Sequence, residues 1–338
     1  MESDDLIYDD HDEFNQNFDD IEKKIEILGV EFKPSEVLFT MQKETYRIAL
    51  TDFENQQIEE FIQKVYDTYP TPIAYYFRQT NFGYLNNNNR LQLLRSTWEA
   101  MIFVLYAIVI GESRKKRFPL RAAGIREVEL YNFSVDKKLS IIEKILVYDR
   151  DNSFGLKCGS LFVVEEIIRI KQLNYRRNGF QHSAALSEEQ ADSLFAELIP
   201  EVIGALKSID SMTDIEIFHF INTDGNPFSI RCETFIGQSP NRTLKTYEIT
   251  AAQLTFTGSE LSNFNVLARI DNDIFSISPF LHFKSDDDGH LTNLCYLHQK
   301  NPDNILEFKF EIARRSTYVM MPVSDFNTLM LELQTLTS

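Results

Sequence analysis

The sequence predicts an α+β chain: an all-helical N-terminal bundle at about 52–210, then a separate β-rich antiparallel domain at 211–338 with a closing C-terminal helix. Three observations predict it. Apolar residues recur at intervals of three and four as far as Ile209, the spacing of a buried helix face. Past Asp210 the period falls to two, as alternating strand faces require. Turn dipeptides, Asp-Gly and Pro-Asp, then punctuate the second half. A chain of 338 residues with 43% apolar composition is long enough to bury two cores.

Residues 1–20 carry nine acidic side chains and no Lys or Arg, which predicts a disordered, solubilising arm. A sharper alternative is an acidic mimic of nucleic acid that covers a basic site. The lead-in at 21–51 is ambiguous between strand and helix. In 56–66, Ile58, Phe61, Ile62 and Val65 mark one buried helix face, interrupted by Pro70 and Pro72. Asn groups at 86–89 suit capping, and a long helix follows with Leu91, Leu94, Trp98, Met101, Ile102, Leu105 and Ile108 inward, ending near Gly111 to Ser113. Its run MIFVLYAIVI, at 101–110, covers only about half of a bilayer core at ~1.5 Å per residue, and so predicts a buried helix, not a membrane span.

Next, Arg114, Lys115, Lys116, Arg117, Arg121 and Arg126 crowd into SRKKRFPLRAAGIRE. Cations at a helix C-terminus complement its dipole, and the same cluster suits a phosphate-binding patch. Short helices are expected at 136–148 and 161–173, the latter with Leu161, Val164, Ile168 and Leu173 on its stripe. Ser187 with Gln190 forms a capping box for a helix whose stripe is Leu194, Phe195, Leu198, Val202, Leu206 and Ile209, passing through a kinking Pro200. Strands are expected at DIEIFHFI, FSIRCETFI, IFSISPFLHFK, HLTNLCYLHQK and ILEFKFEIA, and a helix at MPVSDFNTLMLELQTL.

Removing the nine charges of the arm from the formal net charge of −17 leaves −8 for the rest, so the acidic balance excludes a nucleic-acid partner less firmly than it first suggests. Cys158, Cys232 and Cys295 are too few and too scattered for a disulfide framework, and the N-terminus lacks the pattern of a secretory signal. A cytoplasmic chain without a membrane partner is expected.

Between the helices at 161–173 and 188 onwards lies Arg177-Asn178-Gly179-Phe180-Gln181-His182, preceded by Arg176. RNA carries its own nucleophile, the 2′-hydroxyl, so its cleavage needs no metal if a base takes that proton and a cation stabilises the crowded phosphorane. Histidine titrates near neutrality and suits the proton transfer. Arginine stays charged, and its planar fork matches two phosphoryl oxygens. Asparagine orients a neighbour without titrating.

This stretch resembles the R-N-x-x-x-H motif of the HEPN superfamily, small helical domains that often act as metal-independent endoribonucleases. The resemblance implies a HEPN-like fold for 52–210, with His182 as general base or acid, Arg177 as phosphate clamp and Asn178 as orienting group. Arg176, Arg114, Lys115, Lys116, Arg117 and Arg121 are the candidate RNA ligands. HEPN nucleases pair two motifs across a dimer, so one visible copy implies a homodimer or a partner, such as an antitoxin or activator. No cofactor is implied, and products would carry a 2′,3′-cyclic phosphate. A toxin or antiphage role also follows from the resemblance. The alternative is a non-catalytic HEPN dimerisation module whose β-rich domain recognises a partner or ligand. Ser183 and Ala184 depart from the His-x-Tyr of one toxin subgroup, which puts that subgroup's regulation in doubt.

Cys295 and His298 have C-x-x-H spacing with His282 and His290 nearby, but strand geometry and the missing C-x-x-C argue against zinc. The run Asp286-Asp287-Asp288-Gly289 lacks the distal glutamate of a calcium loop and reads as a hairpin turn. Walker, dinucleotide and G-x-S-x-G signatures are absent.

Overall fold

A computed structural model describes residues 43–178, 186–223, 228–239, 243–261, 265–285, 292–312 and 315–338. The acidic arm at 1–20, most of the lead-in at 21–51, His182 and the Asp286–Gly289 run lie outside them. The chain divides into two compact units, Met1–Gln63 and Lys64–Ser338. The described part of the first is the beginning of helix α1, Lys43–Thr68, so the ambiguous lead-in ends as helix. Ile58 is exposed while Val65 is fully buried, which breaks the inward face expected for 56–66.

In the second unit the two prolines end α1 and open helix α2, Thr71–Phe82, where a proline in the first turn forfeits no hydrogen bond. Helix α3, Asn87–Lys115, starts with the Asn86 side chain accepting from the Asn89 N–H at 2.8 Å. Every residue from Ser96 to Arg114 is buried. The expected one-sided stripe is therefore incomplete, because α3 is covered all round, as a central core helix must be. Among the described residues α3 alone is long and apolar enough to cross a membrane by composition, yet 89% of its most apolar window lies inside the protein.

Around it stand α4 (Glu127–Leu130), α5 (Val135–Asn152), α6 (Lys157–Leu161), α7 (Val164–Asn178) and α8 (Glu188–Ser208). Two buried carboxylates pin the loop entering α6. Asp149 accepts from Gly155 and Leu156 N–H at 2.8 and 2.9 Å, and Glu112 from Lys157 and Cys158 N–H at 2.7 and 2.8 Å. These bonds satisfy the orphan donors of a helix start.

The strands are β1 (Ile215–Thr223), β2 (Ser229–Thr234), β3 (Thr243–Glu248), β4 (Val266–Ile270), β5 (Asp273–Ser276), β6 (Leu281–Ser285), β7 (Thr292–Lys300), β8 (Ile305–Ile312) and β9 (Arg315–Pro322). They form two antiparallel sheets, ordered β3-β2-β1-β4-β5 and β6-β7-β8-β9. Helix α9 (Ala251–Leu261) brings Leu254 and Phe256 onto the core of the first sheet, built on Phe218, Phe220, Ile230, Tyr247 and Leu267. Helix α10, Asn327–Thr337, closes the chain as expected.

Two expectations need correction. The stretch 274–284 is not one strand: β5 and β6 belong to different sheets, and the corner at Ile277–Phe280 turns the chain between them. Nor is the strand-rich half separate, since all of Lys64–Ser338 is one compact unit. The physical reason is the far side of α3. Phe103 meets Tyr296 with ring centroids 4.6 Å apart, and Tyr106 meets Phe280 edge-on at 5.2 Å. Gly111, where α3 was expected to end, instead sits inside it. A Cβ there would lie 2.8 Å from both the Ser276 carbonyl and Ile277 Cγ2, so glycine allows β5 its close approach.

Candidate functional site

Helix α7 buries Val164, Ile167, Ile170 and Leu173, with Asn174 next on the same face. The expected stripe had Ile168 in place of Ile167 and stopped at Leu173. In the structure the helix runs five residues further and ends in Arg176, Arg177 and Asn178. Glu165 and Glu166 in its first turn suit the helix dipole. The remaining motif residue, His182, lies outside the described residues.

Both flanks of the motif are tied to α3. On one side the Trp98 indole N–H donates to Asn174 Oδ1 at 3.2 Å, with Trp98 2% and Asn174 1% exposed. Such a buried bond is costly to lose, because the indole donor would be left without a partner. On the other side the asparagine run reaches across to the start of α8. The Asn87 N–H and the Asn88 amide donate to the two Glu188 carboxylate oxygens, each at 2.8 Å, and Asn88 also reaches the Leu186 carbonyl at 3.1 Å. The Asn88 and Asn87 bonds hold the Glu188 carboxyl below its usual range. Ser187 and Gln190 form the capping box expected from the sequence. Helical rise places these two anchors roughly 15 Å apart along α3.

The basic segment divides differently. Arg114 is 8% exposed, and its guanidinium donates to the Ser276 and Ser278 carbonyls at 3.0 and 3.1 Å and pairs with Glu332 at 3.3 Å. It is a structural cation joining α3 to the β5–β6 corner and to α10, which corrects its assignment as a phosphate ligand. Lys116 faces Asp273 at 3.8 Å. Lys115, Arg117 and Arg121 are exposed. Lys115 stands about 25 Å along α3 from Trp98, so the segment and the motif's anchors occupy opposite ends of that helix.

Sequence reasoning missed Lys138 of α5. It is 1% exposed, its ammonium lacks a hydrogen-bond partner, and it lies 4.5 Å from the ring centroids of both Phe103 and Tyr106. Burial lowers its pKa to about 7. The signal was present in the spacing, since Lys138 shares a helix face with Ile141, Ile142 and Ile145. Nearby, burial opposes ionisation of Glu99, but Lys309 at 3.0 Å and Arg95 at 2.8 Å outweigh it and hold the carboxyl below its usual range.

The other constellations offer less chemistry. Burial, with Glu112 alongside, raises the Cys158 thiol well above its ordinary value, and burial pushes Cys232 up to about 12, so neither presents a thiolate. His282 pairs in register with Cys295 across β6 and β7, and His298 falls at an irregularity of the β7–β8 ladder. Among the described residues no three His, Cys, Asp or Glu side chains are grouped to hold a metal ion. His290 lies outside them. Compared with protein-family models, with curated proteins and with solved structures, the chain matches none.

Proposed function

We propose that the chain is a metal-independent endoribonuclease of HEPN type, acting on RNA in the cytoplasm as a toxin or antiphage effector. One observation carries it: an R-N-x-x-x-H motif whose first two residues end a helix and whose flanks are both anchored on α3. A catalytic constellation must be held to within a fraction of an ångström, and anchoring on a buried helix supports that. In this mechanism His182 removes the 2′-hydroxyl proton or protonates the leaving 5′-oxygen. Arg177, with Arg176 beside it, neutralises the phosphorane, and Asn178 orients one of these groups. The attack forms the 2′-oxygen–phosphorus bond and breaks the bond to the 5′-oxygen, leaving a 2′,3′-cyclic phosphate. A second copy of the chain supplies the second motif.

The test is incubation of the purified chain with RNA in excess EDTA beside His182→Ala and Arg177→Ala. Wild type should cut and leave cyclic phosphate ends, with each variant slower by about 100-fold or more. Equal cutting by all three, or none by wild type, sinks the proposal.

A further inference from the structure

A cleft of ≈ 480 Å³ opens at the far end of α3 from the motif's anchors, walled by Arg114, Lys115, Arg117, Phe256, Glu332 and Leu336, with Ser276 and Thr335 completing it. Its size falls within the range of about 300–1,000 Å³ typical of small-ligand sites. Three cations face one carboxylate here, in a chain whose formal net charge is −17. That carboxylate, Glu332, is engaged by Arg114 at 3.3 Å. Among the described residues neither Lys115 nor Arg117 has a carboxylate partner. The Lys115 ammonium rests 4.0 Å from the centroid of Phe256. The buried Ser276 hydroxyl has no hydrogen-bond partner.

Arg117 holds a backbone position that glycine ordinarily fills, as Ser153 does after α5. Helix α3 ends with the Phe118 N–H bonded to the Ser113 carbonyl at 2.8 Å and the Arg117 N–H to the Arg114 carbonyl at 3.1 Å. This is the Schellman pattern, whose left-handed position glycine ordinarily fills. Here that position is Arg117, at φ 54°. An L-residue in this conformation costs about 1 kcal/mol relative to glycine. Like the cations inside α3, Arg117 complements the helix dipole, but it does so from a strained position and, among the described residues, without a carboxylate partner.

We propose that this cleft binds a nucleoside diphosphate or a ligand of that chemistry, its phosphates held by Lys115 and Arg117 and its ring system against Phe256 and Leu336. Two exposed cations supply charge for the phosphates. Helices α3, α9 and α10 and strand β5 enclose the site, which suits a compact ligand. Nothing in this inference depends on the ribonuclease proposal, because it is read by binding without RNA cleavage.

Calorimetric titration of the full chain with ADP, pyrophosphate and adenosine, repeated on Lys115→Gln/Arg117→Gly, tests it. Saturable ADP binding, tighter than that of pyrophosphate or adenosine, and weakened about tenfold or more in the double variant, is expected. Since Arg117→Gly relieves backbone strain, the melting temperature of the variant should be unchanged or higher, which separates lost binding from lost folding. Absence of ADP binding, equal affinity in the variant, or pyrophosphate bound as tightly as ADP would each overturn the assignment. So would a short single-stranded RNA that binds more tightly than ADP and is lost in the same variant, since the cations would then form an RNA track.

Discussion

Arg114 and Lys138 are 8% and 1% exposed, yet the protein treats the two cations in opposite ways. Arg114 enters the interior with its donors matched: two carbonyls at the β5–β6 corner and the Glu332 carboxylate. Lys138 enters with none, between the faces of Phe103 and Tyr106. A guanidinium with its hydrogen bonds made keeps its charge in a poor solvent. An ammonium without them is driven toward the neutral amine. The contrast teaches that burial of a basic residue has no fixed sign for stability; the partners decide it.

Each half of that contrast can be broken. Arg114→Met should cost about 2–4 kcal/mol in urea denaturation, because two carbonyls at the β5–β6 corner lose a charged donor, while the half-exposed Glu332 is left in contact with water. A loss under about 1 kcal/mol would mean that the matched donors contribute little. Lys138→Met should instead stabilise. The Lys138 pKa is about 7 folded against an ordinary 10.5, so between those values the unfolded chain holds a proton that the folded chain has released. Stability therefore rises with pH across that window, and the burial penalty is full below it and gone above it. At pH 7 the penalty is roughly 4 kcal/mol, and substitution should return much of it. Melting curves from pH 7 to 10.5 should show the gain shrinking to nothing; a gain independent of pH would assign it to packing alone.

His282 offers an intermediate case. It is 5% exposed and buried as the neutral ring, its Nδ1 3.0 Å from the Ser278 hydroxyl. Burial, then the neighbouring His219, lowers its pKa from 6.5 to about 3. Below pH 6.5 the unfolded chain takes up a proton that the folded chain refuses, so stability falls as the pH drops, by about 1.4 kcal/mol per unit. Between pH 6.5 and 5 the loss attributable to this residue is about 2 kcal/mol, and His282→Asn should abolish that slope. An unchanged slope in the variant would show that other groups set the acid limit.

The sequence made local structure legible and left long-range partners hidden. Asn86, the Ser187–Gln190 box and the strand meander through 292–312 follow from neighbours a few residues away, and the structure contains them. The all-round burial of α3 does not follow, because the strands that cover its second face lie more than 160 residues downstream in the case of Arg114 and its carbonyl partners. The break between β5 and β6 carried one signal, Pro279, which cannot donate to a ladder, but the alternation of apolar residues continues across the corner while the sheet changes. In the candidate site the motif itself was plain in the sequence. Its anchors were not, since Trp98 reads as one more core residue until Asn174 is found beside it, and Asn87 and Asn88 read as caps until Glu188 is.

Trp98 is the one tryptophan in the chain, and its indole touches the turn of α7 immediately before Arg177. The protein therefore carries its own optical probe at the edge of the proposed catalytic centre. Emission from a buried, hydrogen-bonded indole lies to the blue of one in water, so any event that lifts the end of α7 from α3 is visible as a red shift. Occupation of the motif by an RNA analogue, assembly with a second chain, and local melting of that turn can each be followed without attaching a dye.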